Sequence, residues 1–168
     1  MKFILRKFKD SDLGSLVKYA NNYHIAKFLT NQFPHPYTKK DGKEFLSMAI
    51  DHPGIFTIDV DGESIGSIGL FQQTDIHQKS AELGYWLAEP FWGNGIITQA
   101  IREIVEYGFQ AFDIVRIYAR PFSTNQASQR VLVKAGFTCE ARHKKALYKN
   151  GEYIDEFIYA KFKDESKE

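Results

Sequence analysis

The chain has 168 residues, 43% hydrophobic and 15% aromatic, which suffices for one packed domain of ordinary size. Its 22 Lys and Arg against 21 Asp and Glu give a net charge of +1, which excludes a broad basic field for nucleic acid. A lone cysteine, Cys139, excludes an internal disulfide framework or thiolate metal cluster, and the 5 scattered histidines form no metal-gripping pair.

In chain order, residues 3–8 read as a first strand, and Asp10-Ser11-Asp12 supply capping side chains for a helix to about Asn21. The opening apolar run is too short for a signal peptide, and no stretch has the length of a membrane helix. A cytoplasmic protein is therefore expected. Residues 23–29 read as a turn or two of helix, broken by Phe33-Pro34-His35-Pro36. Thr38 and Asp41 form a capping arrangement for a helix to about His52.

From Gly54 the hydrophobic period changes to two. Residues 55–60, the Asp61-Gly62 turn and residues 64–73 predict a hairpin, with a further strand over 80–88. Ile97, Ala100, Ile101, Ile104, Val105, Gly108, Phe109 and Phe112 then recur at helical spacing. A strand over 115–119 and a helix over 125–135 closed by Gly136 follow. Two last strands turn at Asn150-Gly151, ahead of a charged, frayed tail at 163–168. Strand, glycine turn, helix, strand is a parallel crossover inside an otherwise antiparallel succession. The fold expected is α+β: one domain with a mixed, mostly antiparallel sheet of about seven strands and helices on both faces.

Pro90-Phe91-Trp92-Gly93-Asn94-Gly95-Ile96-Ile97-Thr98 lies between the strand and the long helix. Its glycines permit a tight turn and close ligand approach, and the first helix amides are unpaired, which suits a phosphate. Thr98 adds a hydroxyl. By itself the glycine pair serves a structural turn equally well. A P-loop and a dinucleotide fingerprint are excluded, since neither Gly-Lys-Ser/Thr nor a third glycine is present.

Glu82-Leu83-Gly84-Tyr85-Trp86-Leu87, Phe91-Trp92-Gly93-Asn94-Gly95, Asn125-x-x-Ser128 and Lys134-Ala135-Gly136-Phe137 together resemble the GNAT superfamily of N-acetyltransferases. Ile4-Leu5-Arg6-Lys7-Phe8 and Asn150-Gly151-Glu152-Tyr153-Ile154-Asp155 make it similar to the RimJ/RimL ribosomal-protein branch. The resemblance implies acetyl-CoA as co-substrate and a three-layer fold whose central parallel pair splays. The pantetheine arm would enter at Trp86, Leu87 and Ala88, the pyrophosphate would lie on the amides of Gly93, Asn94, Gly95, Ile96, Ile97 and Thr98, and Asn125 would hold the pantetheine region. Ile97 departs from the family's small residue at its position, which an amide donor tolerates.

Transfer needs a neutral acceptor amine, a stabilised oxyanion and a proton for the departing thiolate. Glu82, on the strand feeding the turn, is the candidate base; its other reading is a salt-bridge carboxylate. Ser128, one helical turn past Asn125, is the candidate partner of the thiolate or else a serine bonded to its own helix. Leu132 and Leu147 stand where the family has a tyrosine and the ribosomal branch a glutamate, which shifts the burden to Glu82.

Asp155 and Tyr85 are candidate acceptor-binding residues, with Tyr23 and His24 of lower standing; Asp155 also reads as a solvated edge charge or an internal hydrogen-bond acceptor. Cys139 reads as a small core residue rather than an acyl carrier. The expected activity is direct acetyl transfer to a primary amine, either a protein N-terminus or a small amine. A CoA-binding sensor without catalysis is the alternative. Exposed strand edges leave room for a homodimer.

Overall fold

In the structure, a computed structural model, residues 1–164 are described, and the expected frayed tail lies mostly outside them. The strands are β1 (Ile4–Arg6), β2 (Ile55–Val60), β3 (Glu63–Gln72), β4 (Ser80–Leu87), β5 (Arg116–Ala119), β6 (Thr138–Lys149) and β7 (Glu152–Phe162). The helices are α1 (Leu13–Ala20), α2 (Tyr23–Ala26), α3 (Lys39–Ala49), α4 (Ile96–Ala111) and α5 (Gln126–Lys134). The sheet order is β1-β2-β3-β4-β5-β7-β6, with β4 and β5 parallel and the described β1–β2, β2–β3, β5–β7 and β6–β7 pairs antiparallel. No helix among the described residues is long and apolar enough to cross a membrane.

The chain divides into two compact units. Residues 1–69 with 85–100 make the first. Its core gathers Phe8, Leu16, Ala20, Tyr37, Leu46, Ala49 and Ile55. The capping box forms as expected: Asp41 N–H donates to Thr38 Oγ1, and Thr38 N–H donates to Asp41. Burial first, then the Asp41 charge, pushes the Tyr37 phenol up to about 12.

Asp12 does less capping than the sequence suggests. Its carboxylate accepts the Lys9 N–H, but no side chain caps α1. Arg6 claims it instead, with Nη1 and Nη2 both 2.8 Å from Asp12 while Nε reaches Asp59 at 2.7 Å. The Asp12 and Asp59 side chains are only 3% and 5% exposed, so the three groups form a closed ion cluster. Burial pushes the Asp12 carboxyl up, but the Arg6 hydrogen bonds and the Lys9 amide outweigh it and hold the group below its ordinary range.

The second unit holds residues 70–84 and the chain from Ile101 onward. β5 pairs parallel with β4 from Ser80↔Arg116 to Glu82↔Tyr118, and antiparallel with β7. Ile104, Val105, Ile114, Ile117, Leu132 and Phe137 are buried. Two cations close the C-terminus of α5: Arg102 donates to Lys134 O at 2.8 Å and Lys161 to Ala135 O at 2.9 Å. Lys163 N–H donates to Val115 O, which ties down the start of the tail.

Two expectations are corrected. The core face of α4 begins at Ile96, 2% exposed, whereas Ile97 is only half-buried. The helix starts at Ile96, so the four-residue spacing to Ala100 and Ile104 selects that residue. Cys139 is exposed rather than in the core, because β6 is the last strand of the sheet and bulges between Cys139 and Ala141.

Candidate functional site

In the first unit, β4 ends in a short 3-10 turn at Glu89–Phe91 and a glycine turn that opens α4. Gly93 and Gly95 have φ of +76° and +73°, and no atom lies within 4 Å of where a Cβ would stand on either. The backbone there is left-handed and open, a cradle in which a side chain would find space but a strained φ. Gln99 N–H is bonded within α4, to Gly95 O at 3.2 Å. The amides of Ile96, Ile97 and Thr98 precede that ladder at the positive end of the helix. An anion of pyrophosphate size fits this donor set.

The end of β4 is sharply defined. Ala88 N–H donates to Ile65 O, and a Cβ on Gly66 would meet Trp86 O at 2.5 Å, so both groups face β3. Alternation puts the polar groups of Leu87 on the other side. Trp92, which is partly exposed, donates its indole N–H to Leu87 O at 2.7 Å. Sequence reasoning missed this bond. Of the three residues expected to pair with pantetheine, Leu87 alone turns its backbone groups away from β3.

Tyr85 is half-buried on β4. His24 and Asn22 reach the turn through Glu89: Asn22 Nδ2 donates to it at 2.6 Å, and His24 Nδ1 lies 3.1 Å away. The Asn22 hydrogen bond first, then His24, holds the Glu89 carboxyl below its usual range. Tyr23 is exposed and packs edgewise against His35.

In the second unit, Glu82 is half-buried and doubly bonded: Arg120 Nε donates to Oε1 at 2.9 Å and Nη2 to Oε2 at 3.3 Å. Tyr118 is its neighbour across the parallel register, and burial first, then the Glu82 charge, pushes the phenol up, so it stays protonated. Nothing in the sequence marks Arg120 as this partner, since the pair is 38 residues apart and depends on the β4–β5 register.

Asn125 caps α5, its Oδ1 accepting Ser128 N–H at 3.1 Å, so these two expected site residues are brought together. Ser128 is half-buried. Asp155 belongs to a separate group on the β6–β7 hairpin. It accepts Lys145 N–H at 2.8 Å and Arg142 Nε at 2.7 Å. Lys145 has φ +53°, within the register shift of β6 between His143 and Leu147. The Lys145 amide first, then Arg142, holds the Asp155 carboxyl below its ordinary range. Asp155 thus pins a strained strand, as its reading as an internal acceptor anticipates.

Residues 2–138 match the family described as the acetyltransferase (GNAT) domain. An uncharacterized N-acetyltransferase of Bacillus subtilis, YoaA, is 38% identical over 95% of this chain and 92% of its own. RimL, a ribosomal alpha-N-protein acetyltransferase solved in complex with coenzyme A, has a TM-score of 0.85 at 25% identity, covering 96% of this chain and 94% of that one. A ribosomal-protein alanine acetyltransferase from Vibrio fischeri has a TM-score of 0.82 at 26% identity, over 100% of this chain and 97% of that one.

Proposed function

The chain belongs to the acetyltransferase (GNAT) domain family, and from that premise we propose how its residues carry out the reaction. It is an acetyl-CoA-dependent N-acetyltransferase that moves the acetyl group directly to a primary amine. The observation that carries this reading is the open, left-handed glycine cradle directly ahead of the N-terminus of α4. The match over residues 2–138 spans both units, which supports reading them as parts of one acetyltransferase domain.

Acetyl-CoA supplies the activated acetyl thioester. The amides from Gly93 to Thr98 bind its pyrophosphate, and Leu87 N–H pairs with the pantetheine arm. Asn125 Oδ1 is committed to its helix cap, so Nδ2 is the donor it offers that arm. An amine of ordinary lysine pKa is almost wholly protonated at neutral pH, and Glu82, directly or through water, takes the proton. Ser128 donates to the departing thiolate.

The acceptor is a protein N-terminus, as in the named ribosomal relatives, or a small amine. The thioester donor and the exposed Cys139 thiol suit a reducing compartment, which supports a cytoplasmic location. β6, at one end of the sheet, offers an edge through which a homodimer would form. Calorimetric titration with CoA tests the donor assignment: one saturable site and a raised melting temperature are expected, and no heat and no shift would refute it.

A further inference from the structure

Glu82 carries a difficulty as a base, because both its oxygens accept from Arg120. A carboxylate with both oxygens engaged must loosen one of those bonds to present an oxygen to the acceptor's amine. A second carboxylate stands close by. Glu156 is a buried charged residue on β7, 8% exposed. The bridge Phe122↔Glu156 continues the register set by Ala119↔Tyr159 without a shift, which puts Arg120 opposite Ile158. Glu82, Tyr118, Arg120, Phe122 and Glu156 therefore share one face of the sheet, with Arg120 between the two carboxylates. Glu156 acts electrostatically on Arg120 and on Tyr118. The Nδ1 of His143, on an exposed ring, lies 3.7 Å from Glu156 Oε1.

We propose that Arg120 is a positioning residue shared by Glu82 and Glu156, and that its movement from the first toward the second releases Glu82 to the acceptor amine. The inference rests on Glu82 as the base. At rest, Arg120 holds Glu82 aimed through its two hydrogen bonds. When the acceptor ammonium arrives, Glu156 provides the guanidinium with a second counter-charge. One proton then passes from the ammonium nitrogen to a Glu82 oxygen, and no other bond changes in that step. Glu156 acts only through Arg120. The exposure of the Arg120 side chain, 45%, leaves it room to move.

The test is steady-state kinetics of the full chain with acetyl-CoA and a mixture of short peptides bearing free alpha-amino groups and linear diamines. Wild type is compared with Glu82→Gln, Arg120→Met, Arg120→Lys, Glu156→Gln and the double variant Arg120→Met/Glu156→Gln. Arg120→Met should lower kcat about tenfold with KM for acetyl-CoA unchanged, and Arg120→Lys should recover only part of it, since an ammonium keeps the charge but not the two-pronged bond. Glu156→Gln should lower kcat about fivefold, and the double variant should be no slower than Arg120→Met alone. A melting shift with CoA in every variant establishes that each is folded. Neutral or faster Arg120→Met or Glu156→Gln, or losses that multiply in the double variant, overturn the proposal while Glu82→Gln remains impaired. Full activity of Glu82→Gln, or no turnover by wild type, overturns the underlying assignment of the base as well.

Discussion

Two arginines in this protein each stand between two carboxylates, and their surroundings give them opposite characters. Arg6 touches both Asp12 and Asp59 at hydrogen-bond distance, and both acids are almost wholly buried. Arg120 is bonded to Glu82, with Glu156 beyond it, and the Arg120 side chain is half exposed. A buried charge cannot lose its partner without a large penalty, so the first cluster is fixed. An exposed pair contributes little to stability and is exchanged easily. The same chemistry thus serves as structure in one region and, as we propose, as a movable catalytic support in the other.

The largest expected effect breaks the fixed cluster. Asp12→Ala should destabilise the protein by about 3 kcal/mol, measured by urea unfolding, since it removes two of the Arg6 guanidinium's bonds and the acceptor of the Lys9 N–H and leaves Asp59 as the guanidinium's one remaining carboxylate. The same group gives a pH signature. Its carboxyl is held below the ordinary range in the folded protein, so its stabilisation is complete above the unfolded value of about 3.9 and fades as pH falls through the lower folded value. Melting curves below about pH 4 should accordingly fall less steeply for Asp12→Asn than for wild type.

Next comes the movable region. Glu82→Gln should cut kcat about a hundredfold, read by CoA release, with calorimetric CoA affinity unchanged. A smaller effect belongs to the donor end. Trp92→Phe removes the hydrogen bond to Leu87 O and should change CoA binding by about 1 kcal/mol, with kcat at saturating acetyl-CoA unaltered. The smallest sharpens the comparison: Arg120→Met should shift unfolding by less than about 1 kcal/mol, far below the cost of Asp12→Ala.

The sequence is legible where the determinants are local. The Thr38–Asp41 box, the turns at Asp61-Gly62 and Asn150-Gly151, and the glycine cradle each depend on residues within a few positions. The Asn125 cap on Ser128 is equally local. Asp12 was legible as a polar helix-start residue, but not as the partner of an arginine that also binds Asp59, 53 residues away from Arg6. Arg120 and Glu156 were missed for the same reason, because strand register, not spacing, puts them on the face of Glu82. Cys139 was assigned to the core from its residue type, and its place on the last strand of the sheet reversed that.

The central claim is that the glycine cradle serves catalysis on an amine, and it is tested most directly by following CoA release from acetyl-CoA over a panel of peptide N-termini and small amines. Release should depend on the amine, saturate with it and be lost in Glu82→Gln. CoA binding with no amine-dependent release by the wild-type protein would contradict it and favour a sensor that retains the fold without the chemistry.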